Sequence, residues 1–197
     1  KELQAVGMKE TDFQVDLDGL PLEGEEPAGG GAGIRFRGKR VDLSGMDRVE
    51  FLIRPNPGQE LKPLRRIASG GELSRIMLAL RNVLHRSDRL PTLVFDEVDA
   101  GIGGAEAEAV GSRLKRLARD FQILCITHLP QIAVFGETHM KVEKQVEKKQ
   151  TRFRIQQVNA EGREREIARM LGGKRITSKT LDHAREMIRR GESGGTK

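Results

Sequence analysis

Residues 91–104 read Pro91-Thr92-Leu93-Val94-Phe95-Asp96-Glu97-Val98-Asp99-Ala100-Gly101-Ile102-Gly103-Gly104. A short apolar run ends abruptly on two carboxylates, which predicts a buried parallel strand over 91–95 closing on Asp96 and Glu97. Upstream, Ser69-Gly70-Gly71-Glu72 precedes Leu73, Ile76, Met77, Leu80 and Leu84, which recur at helical spacing and predict a helix over 72–86 with one apolar stripe. Ser69 and Glu72 stand three apart, the arrangement of a capping box. Downstream, 104–119 reads as a helix and 121–127 as a second apolar strand, ending at Thr127-His128, with a short helix opening at Pro130. Strand, helix, strand, helix implies a parallel sheet with right-handed crossovers. Ligands of such sheets sit at the carboxyl ends of the strands, where this chain places polar groups.

Farther out the pattern changes. Residues 11–17 alternate, with Phe13, Val15 and Leu17 on one side, and predict a half-buried strand. A second strand over 48–54 stops at the turn signal Pro55-Asn56-Pro57-Gly58. Between them, 19–45 is rich in Gly and Glu and is expected to be a flexible loop. Two alternating segments within 138–158 flank Lys148-Lys149-Gln150 as an exposed hairpin. Helices are expected over 163–171, stopped by Gly172-Gly173, and over 178–190, within a C-terminal helix and tail at 174–197. One lobe spanning 1–197 is the expected organisation.

Composition narrows the function classes. The chain has 197 residues, 37% hydrophobic and 32% charged, enough for one domain and its core. No apolar run approaches the ~20 residues of a membrane helix, and no signal pattern opens the chain. A single cysteine, Cys125, excludes an internal disulfide framework and fits a reducing cytosol. Seven Phe with no Trp or Tyr argue against a base-stacking platform. Net charge is +6, but residues 141–197 hold 16 Lys/Arg against 8 Asp/Glu while the first 140 hold 19 against 21. That basic part reads either as a phosphate-backbone contact or as a solvated face of mixed charge.

Each candidate site carries a definite chemistry. Gly70 and Gly71 let backbone approach a ligand, the helix start directs N–H groups and a positive dipole end toward an anion, and Ser69 adds a hydroxyl. The plain alternative is an ordinary capped helix. Asp96, at a strand end, can hold Mg²⁺ through its water shell, and Glu97 can deprotonate an attacking water. Consecutive strand residues point to opposite sides, so the two should divide these tasks. Asp99 sits in a glycine-rich loop, and His128 could hydrogen-bond a γ-phosphate or the water, or simply cap the next helix. Cys125 and His128 lack a second pair, which argues against zinc. Gly33-Ile34-Arg35-Phe36-Arg37-Gly38-Lys39-Arg40 almost spells a P-loop, but Arg40 replaces the Mg²⁺-ligating hydroxyl and Arg35-Phe36-Arg37 alternate like a strand. It is rejected as one, so nothing in the sequence cradles a β-phosphate.

The order of these sites decides between the readings. Ser69-Gly70-Gly71-Glu72, Asp96-Glu97, Asp99 and His128 fall within 60 residues. The series resembles the signature motif, Walker B, D-loop and switch histidine of ABC ATPases. The strings 68–75, 95–104 and 127–133, with 54–58 and 168–173, look like the RecN family of SMC-like bacterial double-strand-break repair proteins. The likeness runs over about 48–173, with a weaker match at 11–17. It implies an α/β fold, the C-terminal lobe of an ABC/SMC-type head with a mainly parallel sheet and peripheral antiparallel strands. It implies ATP and Mg²⁺, with two heads sandwiching two ATP molecules. Ser69, Gly70, Gly71 and Glu72 would form the signature acting in trans on ATP held by the other head. Asp96 would bind Mg²⁺ through water, Glu97 would be the base, Asp99 would cross the dimer interface, and His128 would sense the γ-phosphate. The implied partners are an N-terminal P-loop lobe, a second identical head and double-stranded DNA ends, in a cytoplasmic, nucleoid-associated bacterial protein without membrane contact. Alone, this chain would be inactive. Two other readings stay open: the head of another coiled-coil ABC repair ATPase of the SMC or RecF kind, and a non-catalytic basic DNA-binding module.

Overall fold

The alternating segments near the N-terminus pair with each other. In the computed structural model, which describes residues 1–19, 34–36, 39–41, 45–67, 69–84, 92–147, 150–173 and 175–193, the chain divides into two compact units. One comprises Lys1–Lys9 with Ser69–Lys197, the other Glu10–Ala68, where a single lobe is predicted from sequence.

In the smaller unit, β1 (Asp12–Gly19) runs antiparallel to β4 (Asp47–Arg54), with β5 (Lys62–Pro63) on the far side of β4. The register sets Phe13 opposite Ile53, Val15 opposite Phe51 and Leu17 opposite Val49, so six apolar residues share one face. Phe13 and Phe51 stack at 5.7 Å, and Ile53 is fully buried, yet Val15, Leu17, Val49 and Phe51 are exposed. This corrects the expected half-burial: period-2 alternation marks a face made to be covered, and the described residues of the unit leave it exposed. A second correction falls inside 19–45. There β2 (Ile34–Phe36) pairs antiparallel with β3 (Lys39–Val41), so part of the expected loop is a hairpin. Of the string that almost spells a P-loop, Gly33, Arg37 and Gly38 lie outside the described residues.

In the larger unit, α1 (Glu2–Ala5) is followed by α2 (Gly70–Leu84), β6 (Thr92–Phe95), α3 (Gly104–Leu117), β7 (Gln122–Cys125) and α4 (Pro130–Ala133). Strands β6 and β7 pair in parallel, Phe95 beside Cys125, as the alternating pattern predicts. They are the parallel pair among the described residues; the other sheets are antiparallel. Ile76, Leu78 and Ala79 from α2, Phe95, and Val110 and Leu114 from α3 are buried. The buried face of α2 is thus shifted from the predicted stripe, because Leu73, Met77 and Leu84 face outward. Nor is the parallel pair buried on both faces as predicted: Val94 is 64% exposed, Leu124 51% and Ile126 60%.

The hairpin β8 (Met140–Glu147) and β9 (Gln150–Gln157) and the helices α5 (Ala160–Gly172) and α6 (Ser178–Ser193) complete the unit. The turn residues Lys148 and Lys149 lie outside the described residues. Val134, Phe135, Ile167, Ala168 and Ala184 form a second core that joins α5 and α6 to the segment after α4. Helix α5 ends at Gly173, whose φ of 70° needs glycine and whose N–H donates to Arg169 O at 2.8 Å. Its start is capped by Asn159, whose Oδ1 accepts the Gly162 N–H at 2.8 Å. Asn159→Ala should therefore lower unfolding free energy by about 1 kcal/mol, read as a fall in the denaturation midpoint at unchanged slope. Among the described residues, no helix is long and apolar enough to cross a membrane.

Candidate active site

The start of α2 and the ends of β6 and β7 meet in one cluster, held by hydrogen bonds from polar side chains. Ser69 Oγ accepts the Glu72 N–H at 3.3 Å, the cap that its spacing predicts, and Gly70 opens the helix. Ser74 donates its hydroxyl to Asp96 O at 2.6 Å, and Arg75 donates to Ala100 O at 2.7 Å. These two bonds tie α2 to the segment after β6. Arg75 is 7% exposed, so its guanidinium loses solvation there, which lowers its pKa against the opposing pull of Glu72 and Glu106. Neither side chain is a candidate in the sequence reading. Their distant partners leave no local spacing to find.

Asp96 and Glu97 follow β6 directly and are exposed. Their division of labour does not come from strand alternation as predicted. Glu97 has φ of 56°, a left-handed conformation that costs a non-glycine residue on the order of 1–3 kcal/mol. The chain turns there: the Glu97 N–H donates to Asp96 Oδ1 at 2.9 Å, and the Ala100 N–H donates to Glu97 O at 3.0 Å. The turn aims the Glu97 carboxylate at Gly70, so closely that a Cβ on Gly70 would collide with Glu97 Oε2. Gly71 is tighter in a different way, since its Cβ would lie 2.7 Å from Ala100 Cβ and 2.9 Å from Glu97 O. Gly71 is therefore required by the cluster itself, apart from any ligand, whereas at Gly70 the colliding atom is the free end of a flexible side chain.

Asp99 finds its partners within this chain. Its carboxylate, expected to cross to a second head, is turned inward and only 5% exposed. Oδ2 accepts the Thr127 hydroxyl at 2.6 Å and the His128 backbone N–H at 2.9 Å, and it lies 2.9 Å from His128 Nδ1. Burial pushes the Asp99 pKa up, but the Thr127 hydroxyl, the His128 N–H and the imidazole together hold it below the usual value. Thr127 passes the order on by accepting the Leu129 N–H at 3.0 Å, just before α4. The His128 side chain is otherwise 76% exposed. Cys125 plays no part as a nucleophile: burial, then Asp99 and Asp96, push its thiol pKa up to about 12.

Elsewhere, 141–197 carries several local ion pairs, although its 16 Lys/Arg against 8 Asp/Glu leave an excess of basic residues. Lys141 pairs with Glu143 and Glu166, Arg169 with Glu166, Arg185 with Glu164 and Asp182, and Arg190 with Glu186.

Comparison with known proteins gives the family of the chain. No family model matches the chain. It is 48% identical over 149 residues to the DNA repair protein RecN of Xylella fastidiosa (strain Temecula1), covering 76% of this chain and 27% of that protein. It is 43% identical over 188 residues to RecN of Rickettsia felis, covering 95% of the chain, and 34% identical over 194 residues to RecN of Bacillus subtilis, covering 98%. The chain belongs to the RecN family. It spans about a third or less of these RecN proteins, 27% to 33% of their length. In fold it is similar to the Smc head domain with a coiled coil and joint from Pyrococcus yayanosii, with a TM-score of 0.55 at 21% identity over 88% of the chain and 28% of that structure. The RecN segment thus has the α/β fold of an SMC-type head.

Proposed function

We propose that this chain is the signature-bearing half of an ATP-hydrolysing head in a RecN-type DNA repair protein, completed by a P-loop lobe and by a second head. The observation that carries it is the exposed Asp96–Glu97 turn and the Asp99-anchored His128 at the carboxyl ends of two parallel strands; that the Ser69–Gly71 helix start serves an opposing head rests on the family resemblance, since in this chain it lies beside its own Glu97.

In this reading each residue has a role. Gly70 and Gly71 expose the N-terminal amides of α2 to a γ-phosphate held by an opposing head, and Ser69 contributes its hydroxyl. Glu97, exposed and held by its turn, takes the proton of the attacking water while the terminal phosphate departs from ADP. His128 orients that water or the phosphate. The donor set fits Mg²⁺: one exposed carboxylate, Asp96, suits an ion that keeps most of its waters and takes its other ligands from phosphates. When bound, Mg²⁺ would neutralise phosphate charge there.

Support for a missing lobe comes from the exposed Val94, Leu124 and Ile126 on strands that such a fold normally buries, and from the chain's 27% share of its relative. ATP would join two heads, and hydrolysis would release them, with DNA ends engaged by the whole protein. The test is ATP turnover by the chain alone and mixed with the P-loop lobe. The proposal expects silence alone and turnover on mixing. Turnover by the chain alone would overturn the need for a partner lobe. Silence in both, with salt-sensitive DNA binding, would favour the basic binding module instead.

A further inference from the structure

We propose that Arg75 is a positioning residue for Glu97: its guanidinium grips the carbonyl of Ala100 and so holds the 97–100 turn in the conformation that aims the Glu97 carboxylate at the start of α2. The inference rests on the function proposed above, in which Glu97 is the base, and adds a residue that acts only through Glu97.

The turn is unfavourable by itself and has to be held. Glu97 has φ of 56°, a conformation that crowds its Cβ and persists only where the surroundings impose it. Two bonds act within the turn, from the Glu97 N–H to Asp96 Oδ1 at 2.9 Å and from the Ala100 N–H to Glu97 O at 3.0 Å. Two more reach across from α2. Ser74 donates to Asp96 O, the carbonyl just before Glu97, at 2.6 Å. Arg75 Nη1 donates to Ala100 O, the carbonyl three residues after Glu97, at 2.7 Å. One helix thus holds both ends of the turn. The Arg75 bond is the stronger of the two, because its donor is charged and largely shielded from water. Gly71, Ser74 and Arg75 stand at i, i+3 and i+4 of α2 and share one face. Gly71 leaves room for Ala100, and Arg75, one helical turn on, takes its carbonyl.

An arginine is a poor filler for that space. It is 7% exposed, and its Nε is buried with no acceptor among the described residues. Burial lowers its pKa, while Glu72 and Glu106 pull the other way. A buried cation with an unmet donor stabilises less than an apolar side chain of similar volume. What arginine adds is a fixed donor at Ala100 O.

Arg75→Met nearly keeps the length of the side chain and removes the donor. In the head completed by its P-loop lobe it should lower kcat by about 10²-fold with KM and nucleotide binding unchanged, the effect of moving a catalytic group by about 1 Å. Added to Glu97→Gln it should cause no further loss, because Arg75 acts through Glu97, whereas a purely structural residue would multiply the two losses. Proton spectra of the isotope-labelled chain report the turn without nucleotide. A positive φ brings the amide and α protons of one residue together and gives a strong intraresidue cross-peak. Glu97 should show it in the parent chain and lose it in Arg75→Met. Parent kcat in Arg75→Met, losses that multiply, or the cross-peak retained in the folded variant would overturn the proposal. Should Arg75→Met fail to fold, Arg75→Gln, uncharged and shorter, is read by the same measurements with the same expected and contrary results. The cross-peak stays readable if no lobe ever yields turnover, so failure of the ATPase reading is separable from failure of this one.

Discussion

Glu97→Gln, in the head completed by its P-loop lobe, should leave nucleotide binding intact and lower turnover by about 10²–10⁴-fold, the usual contribution of a positioned general base. The substitution keeps the size of the side chain and the left-handed turn at φ 56°, so the Ala100 N–H to Glu97 O bond is retained. It removes only the capacity to accept a proton at neutral pH. Equilibrium binding of a fluorescent ATP analogue and steady-state phosphate release separate the two effects. Unchanged turnover would remove Glu97 as the base. Weakened binding at the parent rate would recast the residue as a nucleotide contact.

Gly71→Ala should have the second large effect, on structure and turnover together. The added methyl would meet Ala100 Cβ at 2.7 Å and Glu97 O at 2.9 Å. Neither is the free end of a flexible side chain, so either the start of α2 or the 97–100 turn must move. Overpacking of this kind costs about 1–3 kcal/mol. A displacement of about 1 Å at a catalytic group can cost on the order of 10²-fold in rate. Gly70→Ala provides the contrast. Its methyl collides with the Glu97 carboxylate, which can swing away, so the melting temperature should hold while turnover falls. A Gly71→Ala variant with parent stability and parent turnover would show that the turn is not held against the helix as described.

How much of this was legible in the sequence depends on the range over which each signal acts. The cap at Ser69, the helical period after it, the parallel pairing of 92–95 with 122–125 and the Gly173 stop all follow from spacing within one element or its neighbour. The candidate site residues stand out as a series because a helix start and two strand ends in that order come together in a parallel fold. Three things were not legible. Glu97 carries no local mark of a positive φ, since residues other than glycine adopt it only when the surrounding fold imposes it. The inward turn of Asp99 depends on Thr127 and His128, nearly 30 positions away, and no periodicity reports such a pair. The open faces of β1–β4 and β6–β7 were read as covered because alternation and apolar runs record what a strand is built to bury, not whether this chain supplies the cover. The Leu73 and Met77 face of α2 is exposed in the same way.

The central claim is that the signature of one head serves the base of another. It is tested most directly by complementation between two inactive heads, each completed by its P-loop lobe, one carrying Glu97→Gln and the other Ser69→Arg. Each should be silent alone. Mixed, they should regain turnover, because the mixed dimer forms one site with an intact Glu97 from one head and an intact Ser69 from the other. If the mixture stays silent while mixed dimers form, signature and base belong to the same head, and the account of a shared site is wrong.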